Sequence, residues 1–475
     1  MDGNVLRAFL YWAYQKRWLL IVMTLGIAMY WLPYPEAIST TGYRTFIISI
    51  MVIVLIITEP IPLPATALMI AVLEVSFRIA GPTEVAKSFM SDSVFFIMGS
   101  LMMAVAIVKQ GLDTRLAMAI IRLTGNRVRN IVVGFTVITA VLSSFIGEHT
   151  VVAMMLPVGL SLVRYASTYR PTPKLTALIL FSIAYGATVG SVGTPSGGAR
   201  NAIMIEYWKT ITESGYYLTY LQWAIMAYPI VLLNIVLTAL LLTVVFKPEY
   251  KILDTAVRKL RVQVAKKGKL TGREILAMAI FMVTFLCWVF LNEKIGMGII
   301  AIGGAVLYLS SGLIEWKEVS RDTNWGVILL FAGAISLGVQ MKTSGTALWI
   351  SQTMLDSTGG WMTSVAVFPY LVVIIMTTVM SNVMSSSGTV AVLGPIVLNM
   401  GGHPLYMGLA CAISSAFGYF SAVAAPACMI IYSSGLVKPT DFLKAGWRLG
   451  IASVLSLLIA IFLYWPLVVR FTNFK

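Results

Sequence analysis

The feature that most constrains this chain is the recurrence of apolar stretches long enough to cross a lipid bilayer. A helix needs about 20 mostly apolar residues to span roughly 30 Å of hydrocarbon. Backbone polar groups must be satisfied within the segment that lies in lipid, so long apolar stretches indicate helices. The sequence therefore predicts an all-α polytopic membrane protein. The stretches lie near residues 18–33, 44–58, 62–79, 94–109, 220–246, 274–291, 296–313, 325–341 and 445–469.

The charged residues are few and lie mostly between these stretches. The chain is 59% hydrophobic and 11% charged, yet its formal net charge is +15. Such an excess can indicate nucleic-acid binding, but basic residues confined to loops are typical of the cytoplasmic side of a membrane protein. We therefore expect no nucleic-acid partner, and we place the amino terminus and the loop 248–273 in the cytoplasm. The basic residues around this loop are Lys247, Lys251, Arg258, Lys259, Arg261, Lys266, Lys267, Lys269 and Arg273.

Two distant segments repeat one pattern. Residues 95–120 and 329–352 align with Gly99 over Gly333 and with Gly111 over Gly345 at a common offset of 234 residues. Each copy has the pattern of a membrane helix that ends at a lysine and a glycine and is followed by a short amphipathic stretch. Repeats of this kind are typical of transporters whose two inverted halves surround a site near the bilayer midplane.

Each half also has two apolar segments that are interrupted by small residues and proline. These segments are 141–162, 184–204, 377–400 and 418–435. The backbone groups freed at such breaks are costly in lipid and must face protein or water. A half-helix that begins after a break directs N–H groups and the positive end of its dipole inward, which favours an anion. The four breaks therefore indicate the substrate site, and close packing at glycine is the alternative.

Three motifs carry a resemblance to a known family. They are GLDTRLAMAI at 111–120, AMMLP at 153–157 and YSSGLVKPTDFLKAG at 432–446. On these motifs nearly the whole chain resembles the divalent anion/sodium symporter (DASS) family, whose members carry dicarboxylates, citrate or sulfate.

The resemblance implies an elevator-type homodimer with about 11 transmembrane helices and two re-entrant hairpins. The scaffold would comprise residues 1–129 and 274–360, and the transport unit would comprise residues 130–247 and 361–475. Within the transport unit, the implied hairpins are 130–168 and 361–400, and the implied broken helices are 173–206 and 404–433.

The sequence departs from the family at the residues that hold the substrate. The family's Ser-Asn-Thr at the first hairpin tip is replaced by Gly147, Glu148 and His149. The Ser-Asn-Thr at the second hairpin tip is replaced by Ser385, Ser386 and Ser387. In the broken helices, the family's Gly-Thr-Pro-Pro-Asn and Thr-Pro-Pro-Asn become residues 197–201 and 425–428. By this correspondence the substrate-binding residues are Gly147, Glu148, His149, Thr150, Thr194, Arg200, Asn201, Ser381, Asn382, Ser385, Ser386, Ser387, Gly388 and Thr389. Sodium sites, where retained, would lie near Gly193, Gly197, Ser385 and Ala425.

These departures introduce charge at the first tip. An ionisable residue within the membrane is costly unless it is paired, so we expect Glu148 and Arg200 to face one another across the site. The guanidinium would then offset a negative substrate, as bound sodium does in the relatives. Glu148 and His149 can also carry a proton, so Glu148, His149 and Arg200 are the candidate coupling residues. The structural alternative is a static ion pair that holds the hairpin shut.

The sequence as a whole favours a secondary active transporter of small divalent anions, such as succinate, malate, citrate or sulfate, in the cell membrane. Sodium symport, sodium-independent anion exchange and proton-coupled transport of a different small organic anion all remain open. Cys287, Cys411 and Cys428 lack paired spacing, so we expect no disulfide framework, metal cluster or cofactor. An alternative from a different functional class is an integral membrane enzyme that uses Glu148 and His149 as an acid–base pair. No nucleophile accompanies them, and we expect no enzymatic activity.

Overall fold

The computed structural model describes residues 11, 13–111, 124–167, 171–211, 218–255, 257–258, 270–357, 365–421 and 424–472. Regular structure within these ranges is helical, apart from one isolated β-bridge between Arg127 and Ile252. Nine of the described helices are long and apolar enough to cross a membrane. The prediction of an all-α polytopic membrane protein is confirmed.

The first half of the chain forms helices α1 to α10. They are α1 (Arg17–Tyr30), α2 (Thr40–Thr58), α3 (Leu63–Ser76), α4 (Pro82–Phe89), α5 (Asp92–Lys109), α6 (Val128–Ile146), α7 (Glu148–Ala166), α8 (Pro173–Gly190), α9 (Ala199–Ile211) and α10 (Tyr220–Val245). A single 3-10 turn, Pro195–Gly197, lies between α8 and α9.

The second half forms helices α11 to α21. They are α11 (Gly272–Ile295), α12 (Met297–Ser310), α13 (Trp316–Asp322), α14 (Trp325–Thr343), α15 (Thr346–Ser357), α16 (Phe368–Val383), α17 (Ser386–Val397), α18 (Pro404–Ser414), α19 (Pro426–Ser433), α20 (Pro439–Ile459) and α21 (Trp465–Thr472). A π-helical turn, Ala460–Tyr464, joins the last two. Apart from α15, whose counterpart lies outside the described residues, the order of elements from α2 to α10 recurs from α11 to α20.

The repeat is visible in the packing of two glycines. Helix α5 packs on α12, and α14 packs on α3. A Cβ atom on Gly99 would lie 2.4 Å from the carbonyl carbon of Ala301, and one on Gly333 would lie 2.9 Å from the carbonyl oxygen of Ala67. Ala67 and Ala301 differ by the same 234 residues as the two glycines. These equivalent contacts join the halves through helices that approach one another closely.

The helix ends also follow the repeat. Gly111 comes just after α5 and Gly345 just after α14, with φ of +65° and +77°, a conformation that glycine adopts readily at the end of a helix. The amphipathic stretch predicted after Gly345 is α15. Its counterpart after Gly111 lies outside the described residues, as does most of the basic loop.

The bounds of the helices can be compared with the implied hairpins and broken helices. The first hairpin, α6–α7, covers 128–166, and both of its arms are long enough to cross a membrane. The second, α16–α17, covers 368–397, and the start of the implied 361–400 range lies outside the described residues. The first broken helix, α8–α9, continues to Ile211, five residues beyond its implied end. The second, α18–α19, has the implied bounds of 404–433.

Candidate functional site

The first hairpin reverses direction at one residue. Helix α6 ends at Ile146 and α7 begins at Glu148. Gly147 between them has φ of +82°, which only glycine adopts without strain. Glu148 therefore occupies the first turn of α7, where the positive end of the helix dipole stabilises a carboxylate. Glu148 is buried, whereas His149 and Thr150 next to it are partly exposed.

Side chains hydrogen-bond to the backbone carbonyl groups at the break between α8 and α9. Asn201 Nδ2 donates to the carbonyl oxygens of Ser191 at 2.9 Å and of Thr194 at 2.7 Å. The indole N–H of Trp223 donates to the carbonyl oxygen of Val192 at 2.8 Å. These donors satisfy carbonyls that the interruption frees, which would otherwise be costly in this buried position.

We expect Asn201→Asp to destabilise the protein by about 2 kcal/mol or more. The change replaces two hydrogen bonds with a carboxylate that faces two buried carbonyl oxygens, and each unsatisfied buried group costs about 1–3 kcal/mol. The measurement is thermal unfolding of the purified protein in detergent. Asn130→Asp on an exposed position of α6 is the matched control. An equal unfolding temperature for both variants would contradict this role of Asn201.

Arg200 joins the hairpin tip to the break. Its side chain is only 1% exposed. Nη1 donates to Glu148 Oε1 at 3.3 Å, and Nη2 donates to Ser191 Oγ. Glu148 and Arg200 thus lie in direct contact, as expected from the sequence. We call Glu148, Ser191, Arg200 and Asn201 the tip cluster.

Three atoms of the tip cluster have no hydrogen-bond partner among the residues that the structure describes. They are Glu148 Oε2, Arg200 Nε and Asn201 Oδ1, and all three are buried. Buried polar groups are normally paired, and an unpaired one usually marks a ligand, a water molecule or a functional strain. Two acceptors therefore remain for a cation or a hydrogen-bond donor, and one donor remains for an anionic group.

Backbone oxygens converge at Gly197. A Cβ atom on this residue would lie 2.5 Å from the carbonyl oxygen of Ser191, 2.8 Å from that of Ser143 and 2.9 Å from that of Ser144. Only glycine, which has no Cβ atom, can pack this closely against the three oxygens. The neighbouring Thr194 hydroxyl donates to the Ser144 carbonyl. All of these potential ligand atoms are oxygens. Carbonyl oxygens of unwound helices are the kind of atom that coordinates sodium in transporters.

The break of the second broken helix reaches the first tip. Helix α19 packs on α7 and α8. Tyr419, which lies within this break, and Cys428, which lies just after it, are near Glu148 in space. The hydroxyl of Tyr185 donates to the Tyr419 carbonyl at 2.8 Å. Residues from both halves therefore surround the ion pair.

The second tip contacts the same break from another direction. Asn382 Oδ1 accepts from the backbone N–H of Phe420 at 2.9 Å, and Ser386 Oγ donates to the carbonyl of Ala424 at 3.3 Å. Ser385 Oγ accepts from the Gly388 N–H at 3.2 Å and so caps α17. The break between α18 and α19 thus lies between the two hairpin tips.

Other residues named from the sequence have local roles in the structure. The hydroxyls of Ser381 and Thr389 donate within their own helical segments, to Thr378 and Ser385. Ser387 and Gly388 line a cavity of about 10 Å³ against α2, α3 and α14. Within the described residues, no hydrogen bond joins the tip cluster directly to the second tip.

The comparison with known proteins decides the family. The family model described as the transmembrane region of sodium:sulfate symporters matches residues 13–471. The chain belongs to the DASS family.

Relatives of this DASS protein include the sodium-dependent dicarboxylate transporter SdcS of Staphylococcus aureus strain USA300. It is 26% identical over 468 residues, which cover 92% of this chain and 88% of SdcS. The family and its relatives are transporters, so the expectation that the chain is not an enzyme is confirmed. The alternative of a membrane enzyme is dropped.

Solved structures support the fold of this DASS chain. The YdaH transporter of Alcanivorax borkumensis matches with a TM-score of 0.56 and 12% identity over 82% of this chain and 88% of that one. MtrF of Neisseria gonorrhoeae matches with a TM-score of 0.55 and 12% identity over 79% and 83%. At this identity the likeness concerns the fold alone.

Sequence reasoning missed four residues that lie in or beside the tip cluster. Ser191 and Tyr220 support the first break, where the Tyr220 hydroxyl bonds Thr194 at 3.0 Å. Tyr419 and Cys428 approach Glu148 from the second half. A serine beside a glycine-rich break is a usable sequence signal. Nothing in the local sequence of the other three indicates where they pack.

Proposed function

We propose that this DASS protein is a sodium-coupled secondary transporter of a small dicarboxylate, bound between the two hairpin tips. The observation that carries the proposal is the tip cluster, in which a buried guanidinium and carboxylate keep unpaired atoms beside two helix breaks. An intramembrane ionisable residue at a discontinuous helix is by default a functional candidate. The dicarboxylate specificity of SdcS supports this substrate class.

The proposed contacts assign one substrate carboxylate to each tip. Arg200 Nε offers a charge-assisted hydrogen bond to the first carboxylate. The start of α17, with Ser385 and Ser386, offers hydroxyls and a helix dipole to the second. The ion pair itself has no net charge. A dianion therefore needs a co-bound cation or a proton to offset its own charge in a poorly solvated site.

The oxygens around Gly197 support sodium as that cation. The carbonyls of Ser143, Ser144 and Ser191 would hold it, close to the implied positions at Gly193 and Gly197. Bound sodium would supply positive charge beside the tip cluster. A proton on Glu148 is the second candidate, because Oε2 of this buried carboxylate has no hydrogen-bond partner in the described part of the chain. Both choices neutralise one charge of the dianion.

The proposed movement is that of an elevator, with α6–α10 and α16–α21 as the transport unit. Helix α9 carries polar contacts from this unit to the scaffold. Glu206 Oε2 accepts from Ser93 Oγ at 2.8 Å, and the Tyr207 hydroxyl donates to the carbonyl of Ala334 at 2.9 Å. These bonds would break as the transport unit slides.

The proposal also includes the assembly and the orientation of the protein. It is a homodimer in the cell membrane, with the amino terminus and the basic loop in the cytoplasm.

The test is uptake of labelled succinate into proteoliposomes with imposed gradients. We expect an inward sodium gradient to drive accumulation against a succinate gradient, and a proton gradient alone to drive none. Accumulation driven by protons and unaffected by sodium would overturn sodium coupling. Uptake that needs only internal substrate would identify an exchanger, and no uptake of succinate, malate, citrate or sulfate would overturn the substrate class.

Glu148→Gln separates the two coupling candidates. If sodium carries the coupling, we expect sodium-driven transport to persist at a reduced rate and without any new pH dependence, because glutamine retains the oxygen that faces Arg200. If the proton carries it, the variant loses accumulation but retains exchange of internal for external substrate. Uptake and counterflow measured on the same vesicles distinguish these results.

A further inference from the structure

A second cavity lies away from the tip cluster, where α6 begins and α10 ends. Its volume is about 360 Å³. The cations Arg127, Arg129 and Lys251 line it, together with the apolar side chains of Val128, Leu178 and Ile252. None of the residues proposed to bind substrate contributes to its walls. The cavity is therefore a separate feature of the fold.

Backbone hydrogen bonds hold the two cationic segments together. The N–H of Val128 donates to the carbonyl oxygen of Lys251 at 3.0 Å, and the N–H of Leu253 donates to that of Asn126 at 2.9 Å. These bonds form the isolated β-bridge between Arg127 and Ile252. The cations at the cavity are thus placed by the backbone of two segments that lie far apart in the sequence.

The positive charge at this cavity is not compensated within the described residues. Arg127, Arg129 and Lys251 form no ion pair there. The two acidic residues nearby in the sequence are engaged elsewhere. Glu249 accepts from the backbone N–H groups that begin α8, and Asp254 accepts from the Asn126 side chain. Three like charges held close together favour an anion that neutralises them.

An apolar ridge leads from the cations along α6. Val133, Val137 and Val141 follow Arg129 at intervals of one helical turn and are 40%, 38% and 47% exposed. Residues four apart lie on one face of a helix, so the ridge is continuous with the charged end. Helix α10 packs beside α6 and exposes Leu240 and Val244 near the same end. A ligand with a charged head and an apolar tail matches both parts.

We propose that this cavity binds the phosphate headgroup of an anionic phospholipid, with its acyl chains along the valine ridge of α6. Basic cavities between transmembrane helices on the cytoplasmic side are a known form of lipid site. A free phosphate would use only the charged end and leave the ridge unused. Bound lipid would brace the start of the first hairpin against the end of α10. This inference does not depend on which substrate is transported.

The test measures lipid binding to the purified full chain in neutral detergent by native mass spectrometry. Phosphatidylglycerol, phosphatidylcholine with the same chains, and inorganic phosphate are the three probes. The test variant is Arg127→Gln, Arg129→Gln and Lys251→Gln combined. The matched control is Lys247→Gln, Arg258→Gln and Arg273→Gln combined, which removes three exposed cations outside the cavity lining.

We expect phosphatidylglycerol to bind more tightly than phosphatidylcholine to the unmodified chain and to the control. Each surface cation contributes about 1 kcal/mol to binding of an anionic lipid, so the test variant should bind it roughly a hundredfold more weakly. Unchanged thermal unfolding of the lipid-free variant would confirm that it folds. Val137→Ser should weaken binding of long-chain but not of short-chain phosphatidylglycerol.

Three results would overturn the proposal. Equal affinity for the anionic and the neutral lipid would exclude headgroup recognition. Equal weakening in the test and control variants would show a diffuse surface effect instead of this cavity. Competition by inorganic phosphate at the affinity of the lipid, with no effect of Val137→Ser, would identify a site for free phosphate.

Discussion

Replacing Arg200 by glutamine should reduce succinate transport by about a hundredfold and destabilise the fold by about 3–5 kcal/mol. The change leaves the Glu148 carboxylate buried without its charged partner, and breaking a buried ion pair from one side carries a penalty of this size. It also removes the Nε donor that is proposed to bind the substrate. A charge-assisted hydrogen bond can contribute about 2.8 kcal/mol, and the loss of that free energy weakens binding about a hundredfold. Initial uptake rates and unfolding temperatures measure the two effects.

The double variant Glu148→Gln with Arg200→Gln separates binding from structure. Neutral side chains of similar shape remove the unpaired charge, so most of the lost stability should return. If Arg200 binds substrate, transport stays low in this stable protein. If the pair only holds the hairpin shut, transport returns with stability, and the proposed role of Arg200 is wrong. Arg164→Gln at the last turn of α7 is the control for loss of a cation.

Arg200→Lys refines the same test. Lysine retains the charge but lacks the planar fork that reaches Glu148 and Ser191 together. We expect stability close to that of the unmodified protein and an increase in the apparent KM for succinate. An unchanged KM would indicate that charge alone accounts for the function of this position.

The second large effect is expected from Gly190→Ala, which should prevent the first hairpin from packing on the broken helix. A Cβ atom there would lie 2.0 Å from the carbonyl oxygen of Ala140 and 2.4 Å from its Cα atom. Both are backbone atoms in the middle of α6, so no side-chain rotation can relieve the overlap. Overpacking typically costs about 1–3 kcal/mol when side chains can adjust, and we expect at least the upper value here.

Gly303→Ala is the matched control for that substitution. Gly303 lies inside α12, and no atom lies within 4 Å of its added Cβ. Alanine should stabilise this helix by up to about 1 kcal/mol through its higher helix propensity. Yield of monodisperse protein and the unfolding temperature measure both variants. Similar values for the two would show that the contact between Gly190 and Ala140 is not close in the membrane.

The breaks and the repeat could be predicted because their causes are local. Glycine and proline interrupt a helix wherever they cluster, so 184–204 and 418–435 were found from the sequence. The offset of 234 residues identified Gly99 and Gly333, whose close contacts are equivalent in the structure. The contact between Glu148 and Arg200 was also expected, since a charge in this setting needs a partner.

The surroundings of the ion pair could not be predicted in the same way. Cys428 lies near Glu148 in space although the two residues are 280 positions apart in the sequence. The apolar sequence around this cysteine does not indicate that Glu148 is its neighbour. Asn201 was expected to bind substrate, yet its Nδ2 atom supports the backbone of the break while its Oδ1 remains unpaired. The choice between these roles depends on the positions of the freed carbonyls, which only the packing defines.

Hydropathy and backbone preference act over neighbouring residues, so the membrane class, the helices, their interruptions and the twofold repeat can be predicted from the sequence. Hydrogen bonds and ion pairs act over a few ångströms in space, whatever the separation along the chain. Which buried polar atoms are paired and which are left for a ligand therefore depends on how the helices pack. The shared cavity of Arg127 and Lys251 likewise depends on the backbone bridge that joins their segments.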